Sequence, residues 1–195
     1  MHFIGDINVK LERKIQKYLL NKQNNDGGWP LFFDGESDIS ASVKAYYALK
    51  LSGLKKNNPS LVNAKTFILK NGGAENANVF TRISLALFGQ ISWISVPYMP
   101  VEIINFPGWF PFSIYKISYW SRTVLIPLLV IMNKKPLANN PSNISIEELF
   151  IDSNTSPSVK AINSSGFFSS LFLILDKVAR FFFPNFVSKN YKKRC

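Results

Sequence analysis

Apolar positions recur at helical spacing through the first ninety residues. Leu11, Ile15, Tyr18 and Leu19 fall at i, i+4, i+7 and i+8, which places them on one face of a helix. Ile39, Val43, Tyr46 and Tyr47 repeat that spacing; Asp38 is placed to cap this second helix and Gly53 lies just past its end. Leu61, Ala64 and Ile68 predict a third helix, stopped by Gly72 and Gly73. Val79, Ile83, Ala86 and Leu87 predict a fourth, ended by Gly89. No period-two run bounded by hairpin turns interrupts this series. The pattern predicts an all-α chain of short antiparallel helices joined by glycine-marked turns.

The texture then changes. "WISVPYMPVEIINFPGWFPF" is rich in proline and aromatics, and proline blocks continuous helix, so an extended connection is expected. Ser113 is placed to cap a further helix carrying "IYKISYWSRTVLIPLLVIM", with a kink at Pro127. "NKKPLANNPSN" reads as loop. "SIEEL" fits a capping box between Ser145 and Glu148. "DSNTSPSVKAINSS" reads as a polar linker before a last apolar stretch. The expected organisation is a helical domain over 1–165 and a separate segment over 166–195.

Composition removes several function classes. The 195 residues are 47% hydrophobic and 14% aromatic, which supports a packed core rather than disorder. His2 and Cys195 are the single His and the single Cys, at opposite ends of the chain. A Cys/His metal site, a disulfide framework and a Ser-His-Asp triad are therefore not expected, nor is a cofactor. The first sixteen residues hold no apolar core of signal-peptide length, so secretion is not expected. The net charge is +11, which suits either nucleic acid or an anionic membrane. Nothing beyond charge supports nucleic acid, so no nucleic-acid partner is expected.

"YLLNKQNNDGGW", Tyr18 to Trp29, joins an aromatic-Leu pair to Gln23, then Gly27, Gly28 and Trp29. This spacing resembles the QW motif of the cyclases that act on squalene and oxidosqualene. Its physical logic is a stitch between helices. Gln23 can hydrogen-bond the exposed backbone of the next helix end, Trp29 can stack on it, and the glycines let the turn pass close beneath. Arg13-Lys14 stands where that motif has a basic residue followed by Gly. "AKTFILKNGG" resembles a second, degraded copy without the Trp. The blocks "DISASVKAYYALKLSG", "FILKNGGAENANVFTRISLALFGQISW", "VPYMPVEI", "SYWSRTVLIPLLVI" and "KPLANNPSNISIEELF" follow in the order seen in bacterial squalene-hopene cyclases. The resemblance covers nearly the whole chain.

That resemblance implies a partial α/α barrel, the N-terminal barrel domain of an enzyme whose two barrels enclose a large apolar cavity. It implies squalene as substrate and hopanoid triterpenes as product. The family's acid motif, Asp-x-Asp-Asp, lies in a C-terminal domain and does not occur in this sequence; "DGESD" does not match it. No catalytic residue is therefore assigned. By the resemblance, Trp120 and Phe80 line the cavity, where aromatic faces hold carbocations with about 0.5–2 kcal/mol per ring. Ile117 and Leu125 match the substrate-channel constriction, with different side chains from the family's. The competing reading makes Trp120 and Phe80 ordinary core aromatics. Glu102, Arg82 and Arg122 are read as structural. Two functional readings stay open: a cyclase component inactive without the C-terminal domain, and a non-catalytic remnant or membrane-surface helical protein.

The last segment carries its own pattern. Between Gly166 and Phe186 the charges are Asp176, Lys177 and Arg180, on one narrow stripe of a helix. Phe168, Leu171, Phe172, Leu175, Ala179 and Phe182 share the apolar face. Mid-helix charges disfavour a span and favour a helix lying in the membrane interface. "KNYKKR" follows with basic residues suited to an anionic leaflet, each contributing about 1 kcal/mol. Phe168, Phe172 and Phe182 are the expected membrane contacts. The expected location is the cytoplasmic face of a membrane, held peripherally.

Overall fold

A computed structural model describes residues 1–97, 101–109, 113–138 and 143–151. The polar linker and the apolar segment expected over 166–195, with Phe168, Phe172 and Phe182, lie outside the described residues. Helix α1 spans Val9–Asn21, α2 Ile39–Leu51, α3 Pro59–Lys70, α4 Val79–Leu87 and α5 Tyr119–Lys134. The first four match the predicted periodic segments. Residues between α4 and α5 form 3-10 turns, at Trp93–Ser95, Val101–Asn105 and Ile114–Lys116, where prolines were expected to break the helix.

Each helix starts at a polar side chain that satisfies an orphan amide. Asn8 accepts from Leu11 N at 3.1 Å, Asp38 from Ala41 N at 2.8 Å and Asn78 from Thr81 N at 2.8 Å. Asn58 accepts from Ser60 N at 3.0 Å, and Pro59 fills the first helical position, where no donor is needed. Helices α2, α3 and α4 end at Gly53, Gly72 and Gly89, all at positive φ. The next amide in each case returns to a carbonyl of the last turn: Leu54 N to Leu49 O, Gly73 N to Ile68 O, Gln90 N to Leu85 O. This is the Schellman closure that glycine permits.

Three expectations are corrected. The helix expected from Ser113 begins later. Ser113 caps only the turn Ile114–Lys116, and Ser118 caps α5 by accepting from Ser121 N at 3.2 Å. Ile117 and Ser118 are extended, so the second serine, five residues on, wins the competition for the helix start. The capping box at Ser145 and Glu148 does not form. Glu148 turns instead to Lys50 at 2.6 Å, a charge-assisted bond stronger than a cap. A minimal antiparallel hairpin is also present: β1, Trp29–Pro30, pairs with β2, Ser37–Asp38, with Trp29 opposite Asp38. Two-residue strands are too short to show alternation, which is why the sequence pattern does not reveal them.

The described residues form two units. The first comprises Met1–Val96 and the stretch that starts at Leu137; the second comprises Pro97–Pro136. In the first, α2 is central and packs against α1, α3, α4 and the hairpin. Val43, Tyr46, Leu49, Leu61, Ile68 and Leu85 form its core, joined by Ile146 and Leu149 from the returning strand of chain. In the second, Ile114, Leu129 and Met132 are buried, and α5 packs on the turn Val101–Asn105. Helix α5 continues through Pro127 to Lys134.

Candidate functional site

The stitch at Gln23 forms. Its amide nitrogen donates to Ser60 O at 2.8 Å, in the first turn of α3, and to Gly27 O at 2.7 Å within its own loop. One side chain thus fixes both the loop and the neighbouring helix. Gly27 sits at φ +91°, and a Cβ there would stand 2.6 Å from Asn63 O, a backbone atom of α3. Only glycine permits that approach. Trp29 is 3% exposed, and its indole N–H donates to Leu19 O at 2.8 Å, satisfying a carbonyl of the last turn of α1. Its backbone N–H donates to Ser42 Oγ at 2.9 Å, which ties the hairpin to α2. The degraded copy ending at Gly73 makes no such bridge: Asn71 Nδ2 donates to Phe67 O, one turn back in its own helix.

A second stitch has no counterpart in the sequence reading. Gln90, just after α4, donates to Ile144 O at 3.0 Å and accepts from Ile146 N at 3.1 Å. It also reaches Tyr47 Oη at 3.3 Å. Alongside it, Glu148 accepts from Tyr46 Oη at 2.8 Å and from Lys50 Nζ at 2.6 Å. Lys50 also donates to Ser145 O, and Ile151 N donates to Glu75 Oε1 at 2.9 Å. The segment 144–151 is therefore held by side chains of α2, of the turn Ala74–Asn76 and of Gln90. Burial pushes the Glu148 carboxyl up, but its bonds from Lys50, Tyr46 and the backbone, with the Lys50 charge, outweigh this and hold it below the usual carboxylate range. Burial, then the bond and charge of Glu148, push the Tyr46 phenol well above its ordinary value. The sequence signal for this latch is weak: a lone Gln after a helix-ending Gly, and a Glu more than ninety residues from its Lys.

The residues assigned to cavity and channel stand in both units. Phe80 is in the first turn of α4 and is 58% exposed. Trp120 is the second residue of α5 and is 78% exposed. Ile117 lies in the extended break before α5 and is exposed; Leu125 is half-buried within α5. Trp120 and exposed Val124, one turn apart, form an apolar pair on the surface of α5. Within the described residues Trp120 and Phe80 are surface aromatics, not core ones. Arg82 is buried, Arg122 is half-buried in α5, and Glu102 is half-buried in the turn Val101–Asn105. Among the described residues no cluster of His, Cys, Asp and Glu could hold a metal ion, and no helix is long and apolar enough to cross a membrane.

A groove of about 690 Å³ opens beside the first stitch. Its walls include Tyr18, Trp29, Leu31 and Phe33, and its floor is the Ala41, Ala45, Ala48 face of α2. The arrangement offers apolar surface and aromatic faces. Its acidic residue is Asp34, which is exposed to solvent.

The squalene-hopene cyclase N-terminal domain model matches residues 1–195. Squalene-hopene cyclase of Zymomonas mobilis is 45% identical over 96% of this chain and 29% of its own length. The enzyme of Bradyrhizobium diazoefficiens is 45% identical over 100% of this chain and 30% of its own. That of Schizosaccharomyces japonicus is 51% identical over 76% of this chain and 23% of its own. The chain thus spans less than a third of the length of the curated relatives it matches. The stitched helices, the Gln23–Gly27–Trp29 turn and these matches together show that the chain belongs to the squalene-hopene cyclase family, as its N-terminal domain.

Proposed function

We propose that this chain builds part of an α/α barrel wall in a squalene-cyclising enzyme and does not itself supply the acid. The match to the N-terminal domain over the whole chain carries this reading. In it, Trp120 and Phe80 face the cavity and hold cationic intermediates through their ring faces. Ile117 and Leu125 set the width of the substrate channel. The high exposure of Trp120 and Phe80 in the described residues supports the reading, because a cavity wall is bare until its other wall is in place. The substrate is squalene and the product class hopanoid. The protonating group comes from an Asp-x-Asp-Asp motif that this sequence does not contain.

The reading extends to the membrane. Residues 166–195 lie in the interface of the cytoplasmic leaflet through Phe168, Phe172 and Phe182, and the basic tail adds electrostatic attraction. Such a contact gives an apolar substrate a route that avoids water. Flotation with anionic liposomes checks it: Phe172→Asp reduces flotation, and unchanged flotation of that variant refutes the anchor.

A chimaera tests the enzymatic reading. This chain replaces the matching portion of the Zymomonas mobilis cyclase, and squalene products are followed by mass spectrometry. The chimaera makes hopanoids, and Trp120→Ala within it lowers the rate at least tenfold, while the chain alone makes none. A stable but inactive chimaera favours the non-catalytic reading. Turnover by the chain alone contradicts the assignment of the acid elsewhere.

A further inference from the structure

Helix α5 carries a bare face with an unusual backbone group. Trp120, Thr123, Val124 and Pro127 are all exposed and fall at i, i+3, i+4 and i+7, so they share one side of the helix. Val130 continues the exposed run. Leu129 and Met132 are buried on the other side. None of the exposed residues named has a charged side chain.

Pro127 changes what that face offers. Helix α5 runs through it to Lys134. Proline has no N–H, so the carbonyl of Thr123, four residues back, lacks its helical donor, and the ring crowds that oxygen outward. Both ends of the missing bond, Thr123 and Pro127, are exposed, so the open carbonyl belongs to the bare face. The turn before it is fixed. Ser118 caps the helix by accepting from Ser121 N at 3.2 Å, and Thr123 Oγ1 donates to Trp120 O at 2.7 Å. The result is one oxygen with the negative end of its dipole outward, one turn from Trp120 in an otherwise apolar stripe.

That combination discriminates between occupants. A packed apolar helix would bury the oxygen without a donor, since helical N–H groups are committed within their own helix. Water would satisfy the oxygen and leave Trp120 and Val124 wetted. A neutral hydrocarbon gains nothing from the oxygen. A hydrocarbon that becomes positive suits every part of the face: the apolar side chains hold its chain, and the ring face and the carbonyl dipole hold its charge.

We propose that the Thr123 carbonyl, released by Pro127, is a second cation-stabilising group beside Trp120. The proposal deepens the reading of this chain as a cavity wall and rests on it. When an alkene of the substrate uses its π pair to form a C–C bond to the cationic carbon, its far carbon becomes the cation. The carbonyl dipole lowers the energy of that charge beside α5, and no bond forms to the oxygen. Pro127 is a positioning residue, because it acts only by withholding an N–H.

The test uses the chimaera with the Zymomonas mobilis enzyme and two isosteric probes: a squalene-length isoprenoid ending in trimethylammonium, and its neutral tert-butyl counterpart. The cationic probe has no N–H, so it reads charge against dipole rather than hydrogen bonding. Pro127→Ala restores the donor and closes the Thr123 bond. Pro127 is exposed and alanine favours helix, so this variant keeps its fold. It is expected to weaken binding of the cationic probe roughly fivefold or more and to leave the neutral probe within about twofold. Lactic acid at position 127 has alanine's methyl group and no N–H, and is expected to bind both probes as the parent chimaera does. Binding of both probes that Pro127→Ala leaves unchanged, or weakens equally, overturns the role of the carbonyl. A lactic acid variant that behaves like the alanine one overturns it too. Either result leaves the cavity reading standing where Trp120→Ala still weakens the cationic probe. A chimaera that binds neither probe, where the Zymomonas mobilis enzyme binds both, overturns that reading and this proposal with it.

Discussion

Helices α1 and α2 are each thirteen residues long and pack against each other, yet their apolar residues have opposite fates. Helix α1 has the cleaner division into apolar and charged faces and fully buries none of its residues. Helix α2 is apolar on most sides and buries Val43, Tyr46, Tyr47 and Leu49, together with Ser40, Ser42 and Lys50. Periodicity reports which face a helix needs to cover. It does not report whether the same stretch of chain covers it. In α2 the partners are α3, α4, the hairpin and segment 144–151. In α1, Leu19 and Leu20 pack on that core, while Leu11, Ile15 and Tyr18 stay exposed.

The contrast can be broken most severely at α2. Leu49→Ala removes a fully buried side chain and should destabilise the chain by about 3–5 kcal/mol in urea unfolding. Leu11→Ala, on the apolar face of α1, should change stability by no more than about 0.5 kcal/mol. Comparable losses at the two sites would mean that α1 is covered after all.

The joint between the two helices gives the next effect. Gly27→Ala forces a positive φ on a residue with a Cβ and drives that Cβ into Asn63 O. A loss of about 2–4 kcal/mol is expected from strain and overlap together. Gln23→Ala should cost about 1–3 kcal/mol, since it unpairs the carbonyls of Ser60 and Gly27. Melting of the two variants, followed by far-ultraviolet circular dichroism, checks both figures.

A smaller effect comes from pH at the latch on α2. The folded pKa of Glu148 is depressed, so the unfolded chain binds more protons on the acid side. This stability is present above the unfolded value near 4.5 and is lost as pH falls through the folded value. Tyr46 behaves oppositely: its folded pKa is raised, so stability falls as pH rises above about 10. Glu148→Gln should flatten the acid limb and cost about 1.5–3 kcal/mol at neutral pH, by loss of charge-assisted bonds to Lys50 and Tyr46. Tyr46→Phe should flatten the alkaline limb. Unfolding free energies between pH 3 and pH 11 decide it; parallel curves for wild type and variants would remove the latch from the account.

Local features were the legible ones. The helix start at Asp38 and the helix ends at Gly53 and Gly89 are written in a few adjacent residues, as is the Gln23 turn, whose glycine has a backbone reason to be there. The unreadable features join distant positions. Glu148 left its expected cap for Lys50, and no local rule weighs a cap against a charge ninety-eight residues away. Gln90 performs the same work as Gln23 without the motif around it. The hairpin escaped because two-residue strands have no period. The fates of Trp120 and Phe80 depend on surfaces that the described residues do not include, so only the family resemblance could give them a role.

Hydrogen exchange at the amides of α1 tests most directly whether this face is built to be covered by the rest of a cyclase. It is measured in the chain alone and in the chimaera that carries the chain within the Zymomonas mobilis enzyme. The account predicts weak protection of α1 alone, strong protection of α2 in both, and a rise of roughly a hundredfold or more for α1 in the chimaera. Protection of α1 that is the same in both would contradict it.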